Sequence, residues 1–207
     1  MLVSTVRLGR DEYRVIRPAR PLSHAPLTES WSGAELSVNG PASADLASAW
    51  WLAARSPRSL VYLPLRGGRF SCDGEGRQLD LVLLHHSLGF PVSRWKAVRS
   101  RLSTASVHTV RLPARPFPEV DHGGLLHREF RDHLRWSVAA ETLFLIGSRR
   151  AYEREGETIR ALAEDSSADL ARSPAMHWCA ELDLGRRWQD HRNPASTLHV
   201  HRCEQHR

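Results

Sequence analysis

Residues 79–86 read LDLVLLHH, and the stretch that decides the fold is this run taken together with SLVYLPL at 59–65. Both are short and apolar, with β-branched and aromatic residues among the leucines, so each reads as a buried strand. Between them lies GGRFSCDGEGRQ (67–78), which has four glycines and no apolar periodicity. That is a turn-rich connection, and the two runs most simply pair as antiparallel neighbours. A sheet therefore sits at the centre of the molecule.

Working outward, the N-terminal side supplies a short strand at EYRVI (12–16), a proline-bearing loop at RPARPLSHAPLTESWSG (17–33) and a second short strand at AELSV (34–38). Ser43 as a cap, Asp45 in the first turn and the apolar run LASAWWLAA (46–54) predict a helix over 43–55, ended by Ser56-Pro57. On the C-terminal side, PVSRWKAVRSRLST (91–104) has helical spacing, with Trp95, Val98 and Leu102 on one stripe. SVHTVRL (106–112) reads as a strand. From Leu125 onward Leu126, Phe130, Leu134 and Val138 recur every four residues, and SRRAYEREGETIRALAED is a charged helix anchored by Tyr152, Ile159 and Leu162. The intervening ETLFLIG fits a buried strand or the middle of one long helix; the helical reading is preferred, giving helix over 125–164 with a break near Gly147. MHWCAELDLG and STLHVHRC read as two last strands.

The expected architecture is α+β: one domain spanning 1–207, a mixed, largely antiparallel sheet of about five to seven strands, and helices on one or both faces. A three-layer α/β arrangement is the alternative. At 207 residues, 41% hydrophobic and 25% charged, the chain has enough apolar material for a core, which argues against disorder. Arg7 and Arg10 interrupt the start before any signal-like apolar run, and no stretch reaches the ~18 apolar residues of a membrane span. These features predict a cytoplasmic protein. Cys72, Cys179 and Cys203 are too few and odd in number for a disulfide framework.

Charge is distributed unevenly. The formal net charge is +6, and between Leu81 and Pro118 there is no acidic residue while Arg94, Lys96, Arg99, Arg101, Arg111 and Arg115 supply six positive charges. On a helix over 92–104, Ser93, Ala97, Ser100 and Thr104 form a small outer face flanked by Arg94 and Arg101 on one side and Lys96 and Arg99 on the other. Small residues allow close approach to a phosphodiester backbone, and guanidinium groups bind phosphate oxygens bidentately. The leading expectation is thus binding of nucleic acid or another phosphate-bearing ligand through Arg94, Lys96, Arg99, Arg101 and Arg111. LLHHSLGFPVSRWKAVRSRL loosely resembles a helix-turn-helix. It departs from that pattern at His85, where a small residue is expected, and in the strand character of LDLVLL.

A second expectation is a metal-dependent enzyme or a metal-stabilised module built on a C-terminal His/Cys cluster. His177 and Cys179 alternate in MHWC, as do His199, His201 and Cys203 in LHVHRC, so each set projects from one side of its strand. If the strands are neighbours, four imidazole or thiolate ligands converge and zinc is the ion they would hold. The one-residue spacing is not that of a zinc finger, and histidines on a surface strand are commonly just solvated. His85 and His86 close their strand where ligand-contacting residues are common, with Asp80 at its other end. A third expectation is a non-catalytic interaction subunit: adjacent Trp50 and Trp51 cannot both face one core squarely, which argues for a partner or a homo-oligomer. No phosphate loop, nucleophile elbow or dinucleotide fingerprint occurs.

Overall fold

A computed structural model describes residues 1–30, 33–67, 76–102, 105–119, 132–164, 178–184 and 197–203. Strands β1 (Leu2–Leu8), β2 (Asp11–Arg17), β5 (Ser59–Leu63), β6 (Asp80–His85), β7 (Ser106–Val107), β8 (Arg135–Ala139) and β9 (Thr142–Gly147) form one sheet. Their order is β7-β1-β2-β5-β6-β9-β8. A second sheet, in the order β10-β11-β4-β3, contains β3 (Leu27–Ser30), β4 (Gly33–Val38), β10 (Cys179–Asp183) and β11 (Thr197–Arg202). Helices α1 (Gly40–Arg55), α2 (Trp95–Arg99) and α3 (Arg149–Glu164) complete the described elements, with single 3-10 turns at His86–Leu88 and Val92–Arg94. The fold is α+β, and both sheets are mixed. β2–β5, β6–β9 and β4–β11 run parallel while the other six pairs are antiparallel.

The β5–β6 pair is antiparallel as expected, with Val61 opposite Leu83. Central position explains why these strands lack alternation: both faces are covered. Val61, Leu63, Leu81 and Leu83 enter a core shared with α1, α3 and the inner face of the small sheet. Leu60, Tyr62, Val82 and Leu84 enter a second core with Trp95 and Val98 of α2, plus Phe90, Tyr13 and Phe144. The larger core runs continuously from one sheet to the other through the two long helices.

Helix α1 starts earlier than its apolar run suggested. Asn39 is the cap, its side chain accepting from the Ala42 N–H at 3.0 Å, and Pro41 lies in the first turn. Ser43 instead lies within the first turn and donates to the Gly40 carbonyl. The helix is buried over more than half its circumference, from Ala42 round to Leu52, because it lies between elements instead of on an outer surface. That accommodates both tryptophans. Trp50 is fully buried and its indole donates to the Tyr152 carbonyl at 3.0 Å, while Trp51 packs against the same core from its rim.

Four further expectations are corrected. Within the supposed helix of 125–164, the described residues from 132 onward include the β8–β9 hairpin, and of these only Arg149–Glu164 are helical. Phe144 faces one core and Leu143 and Leu145 the other, so TLFLIG is a two-faced buried strand, a pattern indistinguishable from a helix core by periodicity. The segment over 91–103 contains one 3-10 turn and a five-residue α-helix, although its stripe is as read: Trp95 and Val98 are fully buried and Leu102 packs beside them. Of SVHTVRL only Ser106–Val107 pairs, against Val3 and Leu2. LVSTVRL and LTES are strands that the sequence reading passed over. Because β6 is a strand, the helix-turn-helix likeness fails, although Gly89 does adopt the left-handed φ of +58° that its turn requires.

Candidate functional site

The five predicted phosphate-binding residues divide among three places. Arg94 reaches the start of β2, bonding the Asp11 carboxylate and donating to the Tyr13 hydroxyl at 3.1 Å. Arg101 donates to the Arg7 carbonyl of β1 at 2.9 Å. Lys96 is exposed on α2 beside Ser93, Ala97 and Ser100. Arg94 and Arg101 therefore share a corner with the β1–β2 hairpin, whose exposed Arg7 and Arg10 add two further cations that sequence reasoning did not connect to α2, while Lys96 stands on the opposite flank of α2, with Arg99. Asp11 and Glu12 are the carboxylates of that corner, and Glu12 accepts from Arg7 Nε at 2.8 Å. Gly9, with φ +67°, makes the tight turn that presents Arg10.

Arg111 lies elsewhere. β7 runs antiparallel to β1 past its first residue, where the His108 N–H donates to the Met1 carbonyl. The chain then continues beyond the Met1 end, roughly 20 Å of strand from the Arg7 end at ~3.3 Å per residue.

Arg99 points in the opposite direction from Arg94, into a buried polar cluster at the far end of β5 and the start of β6. Asp80 is only 2% exposed. Its Oδ1 accepts from the backbone N–H groups of Leu65 and Arg66 at 2.9 and 3.1 Å. Its Oδ2 accepts from the Tyr62 hydroxyl at 3.1 Å, Arg66 Nε at 3.1 Å and Arg99 NH1 at 3.2 Å. Five donors satisfy this carboxylate, the condition for burying a charge. Arg99 NH1 also meets the Ala140 carbonyl at 3.1 Å and Thr142 Oγ1 at 3.4 Å. Thr142 Oγ1 accepts in turn from the Trp95 indole at 2.9 Å, which ties both ends of α2 to the sheet. Arg66 is bonded through NH1 to the exposed carboxylate of Glu141.

This cluster perturbs its members in readable ways. Burial, reinforced by the neighbouring Asp80 charge and hydrogen bond, pushes the Tyr62 phenol well above its ordinary range. Burial works against the Arg66 charge, yet the attraction of Asp80 and Glu141 holds its guanidinium above its usual value. The β8–β9 turn beside it is strained. Ala140 and Glu141 both adopt left-handed φ, +48° and +58°, a geometry that hairpins normally assign to Asn-Gly and that costs an L residue about 1–2 kcal/mol. The turn is held by Arg99 on the Ala140 carbonyl, by Arg66 on the Glu141 carboxylate, and by the Asp80 N–H donating to the Glu141 carbonyl at 2.9 Å. A buried aspartate in an otherwise apolar strand was the available signal in the sequence; its two arginine partners were not legible.

The candidate metal ligands come together only in part. β10 and β11 are antiparallel neighbours, with Cys179 opposite His201 and Glu181 opposite His199. Burial alternates along β11, placing Leu198, Val200 and Arg202 inward and His199 and His201 outward, and Cys203 just past its end is half-buried. The histidine rings stand 5.8 Å apart. Each has a carboxylate at longer range: Glu181 3.8 Å from His199 Nδ1 and Glu35 3.6 Å from His201 Nδ1. Among the described residues no three His, Cys, Asp or Glu side chains are disposed to hold a metal ion. His177 and Cys72 lie outside the described residues.

At the other end of β6, His85 Nδ1 accepts from the Ser87 N–H at 3.1 Å and lies 2.7 Å from Ser87 Oγ. Nδ1 is thus unprotonated, with the neutral ring's proton on Nε2. Burial, with a smaller push from the charge of His86, lowers the His85 pKa against the pull of Asp132. Asp132 itself accepts from Ser148 Oγ at 2.6 Å, and Ser148 Oγ in turn accepts from the Ala151 N–H at the start of α3.

The chain matches no protein-family profile, no curated protein and no solved structure. No helix among the described residues is long and apolar enough to cross a membrane.

Proposed function

We propose that the protein binds a phosphate-bearing polyanion, nucleic acid foremost, on the corner formed by the β1–β2 hairpin and α2. The observation that supports this reading is the convergence of Arg7, Arg10, Arg94 and Arg101 on two docked elements, against Asp11 and Glu12 among the described residues. Such a surplus attracts a phosphate backbone by releasing its counterions. The small outer residues Ser93, Ala97 and Ser100 let a backbone approach α2 closely. Arg99, Lys96 and Arg111 are not part of this surface: the first serves Asp80, the second stands on the same flank of α2 as the first, and the third lies past the other end of β1.

Fluorescence anisotropy with labelled duplex and single-stranded nucleic acid at two salt concentrations tests the proposal. Binding should weaken with salt, and Arg10→Ala combined with Arg101→Ala should weaken it further and flatten the salt slope by about two charges' worth. Absence of binding at low salt, or affinity untouched by the double substitution, would refute it.

A further inference from the structure

We infer that Arg66 and Arg99 form a second anion site, for a small oxyanion of the phosphate or phosphate-monoester class, which the chain's own Glu141 carboxylate occupies in its absence. Both guanidinium groups bond the same atom, Asp80 Oδ2, at 3.1 and 3.2 Å. They are therefore held no more than about 6 Å apart, two cations against one buried carboxylate. Both remain partly open to solvent, with 27% and 22% of their side-chain surface exposed. The cluster thus carries one surplus positive charge at the surface.

Much of its hydrogen-bonding capacity is uncommitted. A guanidinium has five N–H donors. Among the described residues Arg99 bonds only through NH1, leaving Nε and NH2. Arg66 bonds through its backbone N–H, Nε and NH1, leaving NH2. A planar oxyanion edge is what such forks recognise. Glu141 answers only the surplus charge, and only at Arg66. It does so from a 56% exposed side chain on a turn whose two residues both occupy left-handed φ without being glycine. Strain of this kind concentrates at ligand clamps and switch regions. Glu141 is a resident counter-anion that a phosphate oxygen can replace, the side chain swinging into solvent while Asp80 keeps the guanidinium groups aligned.

This site stands apart from the hairpin corner. Asp80 lies one residue beyond the level of Leu63 at the end of β5, whereas Asp11 precedes the level of Ser59 at its start. Neither proposal depends on the other.

Isothermal titration with inorganic phosphate, at ionic strength matched by chloride, is the direct test on wild type, Glu141→Gln and Glu141→Gln combined with Arg66→Lys. Removing the competing carboxylate should tighten phosphate binding about tenfold or more, and the added Arg66→Lys should return affinity to the wild-type level or below. Arginine Nε–H resonances of Arg66 and Arg99 should shift on titration in the Glu141→Gln protein, an observation that needs no further substitution. Phenyl phosphate in place of inorganic phosphate distinguishes an ester ligand, which would bind at least as tightly, from the free ion. Equal affinity in wild type and Glu141→Gln, absence of saturable binding in Glu141→Gln, or saturable binding that leaves both arginine resonances unmoved would overturn the inference.

Discussion

Replacing Asp80 with asparagine removes one charge from the cluster that joins β5, β6, β9 and α2, and its cost can be worked through bond by bond. Asparagine preserves volume, and its Oδ1 continues to accept from the Leu65 and Arg66 backbone N–H groups. Its amide nitrogen then faces three donors, Tyr62 O–H, Arg66 Nε–H and Arg99 N–H, where Oδ2 accepted from all of them. Hydrogen bonds to an ionised partner contribute about 1.5–3 kcal/mol each. The Tyr62 hydroxyl can turn to accept from the new amide, but the guanidinium groups cannot; because both keep roughly a quarter of their surface in water, the low end applies to them, and losing two such bonds gives about 3 kcal/mol. A midpoint of urea unfolding lower by about 1 M or more follows from slopes of about 1–3 kcal/mol per molar. Arg99→Met should be markedly less harmful in the Asp80→Asn protein than in wild type, with a coupling of at least about 1 kcal/mol. A midpoint shift below about 0.3 M, or additive effects of the two substitutions, would refute the view that this carboxylate organises the cluster.

Other predictions follow from single positions. Gly156→Ala places a methyl group 2.3 Å from two atoms of the Phe117 ring, so it should lower stability by about 1–3 kcal/mol through overpacking, measurable by thermal unfolding. Ala140→Asn, which tolerates left-handed φ, should raise stability by about 0.5–1 kcal/mol and the midpoint temperature by a few degrees. His85 should titrate below the ordinary histidine range by NMR. With its folded pKa depressed, the unfolded chain takes up the proton first as pH falls below about 6.5, so stability decreases across the window between the two values. His85→Gln should remove that part of the slope, and an unchanged pH dependence would contradict it.

How much was legible beforehand varies element by element. The β5–β6 pairing, the inward stripe Trp95–Val98 and the anchors Tyr152, Ile159 and Leu162 of α3 were readable because each rests on local apolar pattern. The Asn39-Gly40-Pro41 start of α1 was equally local and was overlooked in favour of Ser43. By contrast TLFLIG was misassigned as helix because burial on both faces erases the alternation that marks a strand. The basic segment was recognised as basic, and its two flanks were read correctly as separate, but its cations were assigned to one ligand when Arg94, Arg99 and Arg101 each serve a different partner within the fold.

The sequence by itself determined the α+β class, the buried strands, and the acid-free basic stretch, since hydrophobic period and charge are properties of neighbouring residues. Only the tertiary structure decided that Cys179 stands opposite His201, that Arg101 meets Arg7, and that Arg66 and Arg99 share one oxygen of Asp80. Those meetings depend on strand order and register across separations of up to 94 residues. Local pairs such as Arg149–Glu153 on α3 follow the helical period, but pairing between distant segments leaves no periodic trace along a chain, so where such a cation finds its carboxylate is a property of the fold alone.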